Sequence, residues 1–264
     1  MMARGFLCVV AALALAVGPA GALAQNRIKV GISGGDGELI WAKVKEVAKR
    51  QGLEVDVVVF NDYLLPNAAL DGGDLDANAF QHKPFLENQV KARGYKIVPI
   101  ADTIVEPIGL YSQKLKKIGD LPQGASIGIP NDPSNGGRGL LLLQQQGLIK
   151  LRDGAGILPS VRDVVENPKK LKFRELDAAQ LPRSLPDLDA AVINTNYALE
   201  AKLNPAKDAI AIESRVNNPY GNVIAVRAAD KDRPVFKTLI AAYHSDEVRQ
   251  FILKQFDGAI LPVF

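Results

Sequence analysis

Cysteine is all but missing from this chain. Of its 264 residues only Cys8 is one, and it sits in the N-terminal apolar stretch. A disulfide framework and thiolate chemistry are therefore excluded from the rest of the sequence. Histidine is scarce too: His82 and His244 lie too far apart to form a metal-ligand spacing, so no metal centre is expected. Charge of one sign is not concentrated anywhere. Lys and Arg number 32 against 29 Asp and Glu, the net charge is +3, and no basic cluster exceeds two consecutive residues. That pattern lacks the basic stripe of a nucleic-acid binder. Low-complexity tracts and internal repeats are also wanting. Such a chain holds itself together by its core.

The N-terminus reads as a targeting segment. Arg4 precedes an apolar run from Phe6 to Val17, then a break at Gly18-Pro19 and the small-residue signal Ala22-Leu-Ala24. About a dozen apolar residues fall short of the roughly 20 needed to span a bilayer. The expectation is a signal peptide over 1–24, export to the periplasm, and cleavage that removes Cys8. Roughly 240 residues remain, enough for one large core or two smaller ones.

In the remaining sequence, strands alternate with helices. Arg27 to Ser33 and the valine-rich Glu54 to Phe60 read as strands around an amphipathic helix from Glu38 to Gln51. A short helix is expected over Asp62 to Leu70, a strand over Asp76 to Phe80, and a helix from Pro84 to Arg93. Further strands are expected at Tyr95–Ile100, Ile104–Tyr111, Ala125–Ile129, Lys172–Leu176, Ala190–Ile193, Ala209–Glu213 and Asn222–Val226. Helices are expected at Asn135–Gln146, Asn194–Lys202, Pro234–Tyr243 and Ser245–Phe256. The order implies an α/β fold. It divides near residues 105–110, and neither half has the six-strand run of a dinucleotide enzyme. Two lobes across a ligand cleft are the natural arrangement.

Several segments carry chemistry. Gly31-Ile-Ser33-Gly-Gly35 matches the G-x-S-x-G elbow of serine hydrolases, which makes an exported hydrolase built on Ser33 the competing function. The match falls after the first strand, however, where a hydrolase sheet would already have several. The same turn lacks a phosphate loop's Lys-Ser/Thr; it suits a helix N-terminus facing the cleft and lending N–H groups to a polar ligand. Asp71-Gly-Gly-Asp-Leu-Asp76 lacks the twelve-residue calcium loop and reads as a solvated turn.

Asn131-Asp-Pro-Ser-Asn-Gly-Gly-Arg138 is the most informative stretch. With a helix opening at Asn135, Arg138 falls in its first turn, where a cation opposes the dipole. An anion between it and the free N–H groups would relieve this, and a guanidinium suits a carboxylate; the alternative is an Arg138 that points into solvent. Phe80, His82 and Phe85 lie together at a strand end and helix start, either as an aromatic wall for an apolar ligand group or as ordinary core. Asn194 and Asn222 stand at strand ends, either as caps or as amides able to bond both groups of an amino acid.

The chain resembles a known family in six ordered blocks. These are Asp76-Ala-Asn-Ala-Phe-Gln-His82, Pro130-Asn-Asp-Pro-Ser-Asn-Gly-Gly-Arg138, Asp163-Val-Val-Glu-Asn-Pro168, Gln180-Leu-Pro-Arg-Ser184, Val192-Ile-Asn-Thr-Asn-Tyr197 and Pro219-Tyr-Gly-Asn222. They are similar to those of the NlpA/MetQ-type family, the methionine-binding lipoproteins that serve ABC importers. The resemblance implies a two-lobed periplasmic-binding-protein fold, with lobe one formed by 25–107 and 225–264 and lobe two by 108–224. It implies a receptor rather than an enzyme, with no cofactor, acting as a monomer with a permease partner. Carried over by motif, Arg138 would pair with the ligand carboxylate, and Asn194 and Asn222 would hold its ammonium and carboxylate groups. Tyr63, Phe80 and His82 would line the side-chain pocket, with Phe85 where relatives typically carry tyrosine. Another amino acid, a dipeptide or a small carboxylate remains an alternative cargo. Family members are usually lipidated on a cysteine, but Cys8 follows Gly5-Phe-Leu7 without the small residue of a lipobox. A free, unanchored protein is the expectation.

Overall fold

The structure is a computed structural model that describes residues 26–264. The signal segment and Cys8 lie outside the described residues.

Two sheets organise the chain. The first has the order β13-β4-β12-β3-β1-β2, from β1 (Arg27–Ser33), β2 (Glu54–Phe60), β3 (Ala77–His82), β4 (Ile97–Val105), β12 (Gly221–Arg227) and β13 (Leu261–Pro262). The second has the order β11-β5-β10-β6-β9, from β5 (Gly109–Tyr111), β6 (Ser126–Pro130), β9 (Lys172–Leu176), β10 (Ala190–Ile193) and β11 (Ala209–Ile212). Strands β1, β2 and β3 run parallel, as do β6, β9 and β10, while β12 and β5 are antiparallel to their neighbours. The parallel pairs need helical crossovers, and these cover the sheets.

On one side of the first sheet, α1 (Asp36–Arg50), α7 (Pro234–Tyr243) and α8 (Asp246–Phe256) pack through Trp41, Val44, Phe236, Leu239 and Ile252. Leu70 of α2 (Leu65–Gly72) and Leu86 of α3 (Lys83–Arg93) join Val223 and Ala225 in a separate cluster. The second sheet has its own clusters, one around Ile127, Leu140 and Leu143, the other around Leu181, Leu185 and Tyr197. Two lobes with separate cores follow. The chain passes between them at 106–108 and again at 213–220. Strand β12 pairs in the first sheet from Gly221 onward, so the return lies ahead of the residue 225 expected from sequence.

Most elements form where the periodicity puts them, but three differences matter. Strand β4 is one continuous span, because Ala101-Asp102 stays paired to β12 rather than breaking the strand. A small hairpin of β7 (Lys150–Leu151) and β8 (Val164–Glu166) was too short to carry a period. Helix α4 (Pro133–Gln145) begins two residues earlier than expected. Asp132 is its N-cap, its carboxylate accepting from the Ser134 and Asn135 N–H groups at 3.1 and 2.9 Å, and Pro133 occupies the first position. Arg138 therefore lies in the second turn, beyond the free N–H groups. Its placement needs another explanation than the dipole.

The entry into α4 is tightly sculpted. Alanine is a better helix former than glycine by about 1 kcal/mol, yet a Cβ at Gly136 would come 2.6 Å from the Pro130 carbonyl oxygen, a backbone atom that cannot swing aside. Gly136→Ala is expected to lower stability by about 1–3 kcal/mol. A thermal midpoint that stays level or rises would contradict this.

Candidate functional site

The parallel strands of both lobes end toward one gap, as open α/β sheets present their ligand sites. Strand β3 delivers Phe80 and His82, β6 leads into α4 with Asn135 and Arg138, and β10 leads into α6 (Thr195–Glu200) through Asn194. These residues line one cavity. All seven residues singled out in the sequence reach its wall: Tyr63, Phe80, His82 and Phe85 on the first lobe, Arg138 and Asn194 on the second, and Asn222 at the start of β12.

The aromatic side of the cavity is a cluster. Tyr63 lies 6.1 Å from Phe80 and 5.9 Å from Phe85 between ring centroids, and 5.0 Å from Tyr197 of the opposite lobe. Its hydroxyl donates to Asn196 Oδ1 at 2.5 Å. Tyr63 is thus part of the wall and also a tie between lobes.

His82 has a defined tautomer. It occupies the N-cap of α3, and its Nδ1 accepts from the Phe85 N–H at 3.1 Å. Nε2 must then carry the hydrogen, which it directs to Asn135 Oδ1 at 3.1 Å. Burial, with Arg138 nearby, pushes the imidazole down to about 3, so it is neutral at any pH the protein meets. Asn135 Oδ1 also accepts from Asn194 Nδ2 at 2.8 Å, while Asn135 Nδ2 is spent on Asp132. Asn194 stands at the N-cap of α6 but makes no side-chain cap bond there. Its amide is turned to the cavity, and its Oδ1 is buried without a partner.

Arg138 is 3% exposed, so the solvent-facing alternative does not hold. Its Nε and Nη2 donate to the two oxygens of Glu213 at 3.0 and 2.6 Å, and Nη2 also to the Glu106 carbonyl at 2.7 Å. The guanidinium carbon lies 4.3 Å from the Tyr220 ring centroid. Asn218 steadies Glu213 with a bond of 2.8 Å. Among the described residues, Nη1 has no protein acceptor. Asn222 Nδ2 donates to Glu106 Oε2 at 2.8 Å. Glu106, Asn135, Asn196, Glu213 and Tyr220 are the residues that sequence reasoning did not assign. Asn135, Asn196 and Tyr220 lay inside the matched blocks. Glu106 and Glu213 carry no local signal, since each becomes visible only through its bond to Arg138 or Asn222.

The remaining sequence candidates resolve differently. Ser33 borders a smaller neighbouring cavity with Asp36. Both His82 nitrogens are engaged elsewhere, and His244 Nε2 bonds the Asp102 carbonyl, so neither imidazole serves Ser33 as a base. The turn at Gly34 and Gly35 does not offer its N–H groups to a ligand. Glu200 of the opposite lobe packs there, close enough that a Cβ on Gly35 would meet its Cγ at 2.8 Å. Asp76 accepts from the Lys29 N–H and pairs with Arg233, and Asp71 accepts from the Lys96 N–H. No group of three or more metal-capable side chains gathers among the described residues.

A two-lobed α/β protein with a polar, aromatic-walled cavity between its lobes has the architecture of a solute-binding protein. Residues 28–264 match the model of the NlpA lipoprotein family, and the chain belongs to that family. It is 52% identical over 236 residues to the D-methionine-binding lipoprotein MetQ of Escherichia coli K12, covering 88% of this chain and 87% of that protein. Among solved structures it is similar to a nutrient-binding protein of Burkholderia cenocepacia bound to methionine (60% identity, TM-score 0.88, 90% of this chain and 100% of that one). It is also similar to the methionine-binding protein MetQ (51% identity, TM-score 0.88, 91% and 99%). The name lipoprotein runs against the unanchored form expected from the residues before Cys8.

Two measurements probe this site. Glu213→Ala leaves a buried guanidinium without its carboxylate, and breaking such a pair costs about 3–5 kcal/mol; urea unfolding of the ligand-free variant should show it, and a loss below about 1 kcal/mol would refute the pairing. His82 gives an acid-side signature. Above pH 6.5 its ring is neutral in folded and unfolded chains alike. Below that only the unfolded chain takes the proton, so stability is lost as pH falls from about 6.5 toward about 3, amounting to about 2 kcal/mol by pH 5. His82→Gln should remove that pH-dependent loss whatever its effect at pH 7.5.

Proposed function

We propose that this protein is the periplasmic solute receptor of an ABC importer and that it binds methionine, without performing chemistry on it. It acts as a monomer, delivering its ligand to a membrane permease. The lobes hinge at the two crossings, 106–108 and 213–220, and close on the cargo.

The observation that carries the reading is the pairing of unspent polar atoms with the aromatic wall. Arg138 retains Nη1 for a carboxylate. Asn194 Oδ1 is a buried acceptor and Asn196 Nδ2 a buried donor, neither with a partner. A zwitterion stripped of water needs charge-assisted bonds of both kinds to offset its desolvation. Arg138 takes the ligand carboxylate, and the carbonyls of Asn194 and Asn222 take its ammonium. Tyr63, Phe80 and Phe85, with neutral His82, hold the apolar tail, where sulfur packs well against ring edges. The names of the relatives, D-methionine-binding lipoprotein and a protein bound to methionine, support the same cargo.

Mass spectrometry of ligand released from purified protein, followed by calorimetric titration, tests this. Methionine at about a thousand times its dissociation constant should add roughly 4 kcal/mol of stability. Arg138→Ala should weaken binding by 2 kcal/mol or more, on the order of thirtyfold, while Ser33→Ala leaves it intact. An Arg138→Ala protein with undiminished affinity overturns the site. Release of a dipeptide or a different amino acid overturns the cargo.

A further inference from the structure

Behind the cavity lies an acid pair that the reading above does not use. Asp36 opens α1 and is buried, and its Oδ1 has no hydrogen-bond partner. Glu106 sits on the first crossing between lobes, and its Oε1 is likewise sealed from solvent and unpartnered. Both residues border the same small cavity together with Asn222, and their carboxyl groups are within hydrogen-bonding reach of each other. Two adjacent buried carboxylates would repel strongly and leave two acceptors with no donor between them. One proton resolves both problems at once.

We propose that Asp36 is a positioning residue of the binding site: it stays protonated, donates its O–H to Glu106, and through Glu106 fixes the Asn222 amide. The chain of bonds has one direction. Glu106, charged, can only accept, so Asn222 must turn its NH2 toward Oε2, as the 2.8 Å bond records. The Asn222 carbonyl is then the atom left for a ligand, an acceptor suited to an ammonium group. This selectivity step rests on the amino-acid reading given above; the protonation of Asp36 does not.

The surrounding groups agree on which acid keeps the proton. Asp36 is raised well above the carboxylate range by burial, then by Glu106, with Glu200 of α6 adding to it, against a smaller opposing pull from backbone N–H. Glu106 is raised by burial but drawn down by Arg138, Asp36 and Asn222. Tyr243 of α7 borders the same small cavity and Tyr63 the larger one beside Glu106; both hydroxyls are pushed up by burial, so neither carries charge. His82 across the cavity is neutral, and Arg138 is matched by Glu213. Lys43, Arg50 and Glu247, the charges on the outer side of α1 and α8, pair among themselves.

The sign of the pH effect follows. In the unfolded chain Asp36 ionises near pH 4, whereas in the folded protein it keeps its proton to a higher pH. Wild-type stability is therefore lost as pH rises through that window, tenfold in the folding constant per pH unit. Asp36→Asn supplies a permanent N–H donor and has no such loss.

Urea unfolding of ligand-free wild type and Asp36→Asn from pH 5 to 8 is the first test. The ratio of the variant's folding constant to that of wild type should climb by up to tenfold per pH unit and then level off. A ratio independent of pH means that Asp36 is ionised in the fold and overturns the proposal, whatever the ligand. The second test titrates methionine into Asp36→Asn and Asp36→Ala at pH 6. Asn should stay within about threefold of wild type, and Ala should lose tenfold or more. If Asn and Ala lose equally, the donor role fails. If the pH ratio climbs but no variant or wild type binds methionine, the acid pair stands and the cargo assignment falls.

Discussion

Everything at this site is arranged around one buried cation. The Arg138 guanidinium is tied to both segments that join the lobes, to Glu213 on the returning crossing and to the Glu106 carbonyl on the outgoing one. A charge at 3% exposure is tolerated because its Nε and Nη2 donors are matched by Glu213 and the Glu106 carbonyl and its face lies on Tyr220. This places a fixed positive group beside both segments that join the lobes.

The rest of the polar wall is frozen by bonds that leave little freedom. Asp132 caps α4 and holds the Asn135 amide. Asn135 then presents a single oxygen to both His82 and Asn194. Because His82 Nδ1 is committed to the Phe85 N–H, the imidazole cannot change tautomer without breaking the start of α3. Preorganisation of this kind lowers the ordering cost of binding. It also keeps a neutral ring beside the aromatic cluster, where an imidazolium would repel Arg138.

Much of the architecture was legible because the elements announce themselves with strong local chemistry. The valine run of β2, the alternating faces of α1 and the serine cap of α8 are properties of short segments. Five of the seven cavity residues, Phe80, His82, Arg138, Asn194 and Asn222, were legible for a different reason, since they sit in blocks long enough to match a family. Local chemistry alone misplaces one of them, Arg138, and one turn outside the set. A helix opening at Asn135 puts Arg138 in the first turn, but the Asp132 cap and Pro133 start move it to the second, and Glu200 packs against the Gly34-Gly35 turn that the sequence offers to a ligand.

What the linear chain determined by itself was the alternation of strands and helices, the lack of cysteine beyond residue 8, and, through its matched blocks, five of the side chains that border the cavity. Hydrophobic period, capping and motif spacing are short-range properties, readable within a dozen residues. Only tertiary structure decided that Glu213 neutralises Arg138 over 75 positions, and that Asp36 meets Glu106 across 70 others. Whether a buried charge is tolerated depends on what stands opposite it and how much water remains. Both are consequences of packing that no local window contains.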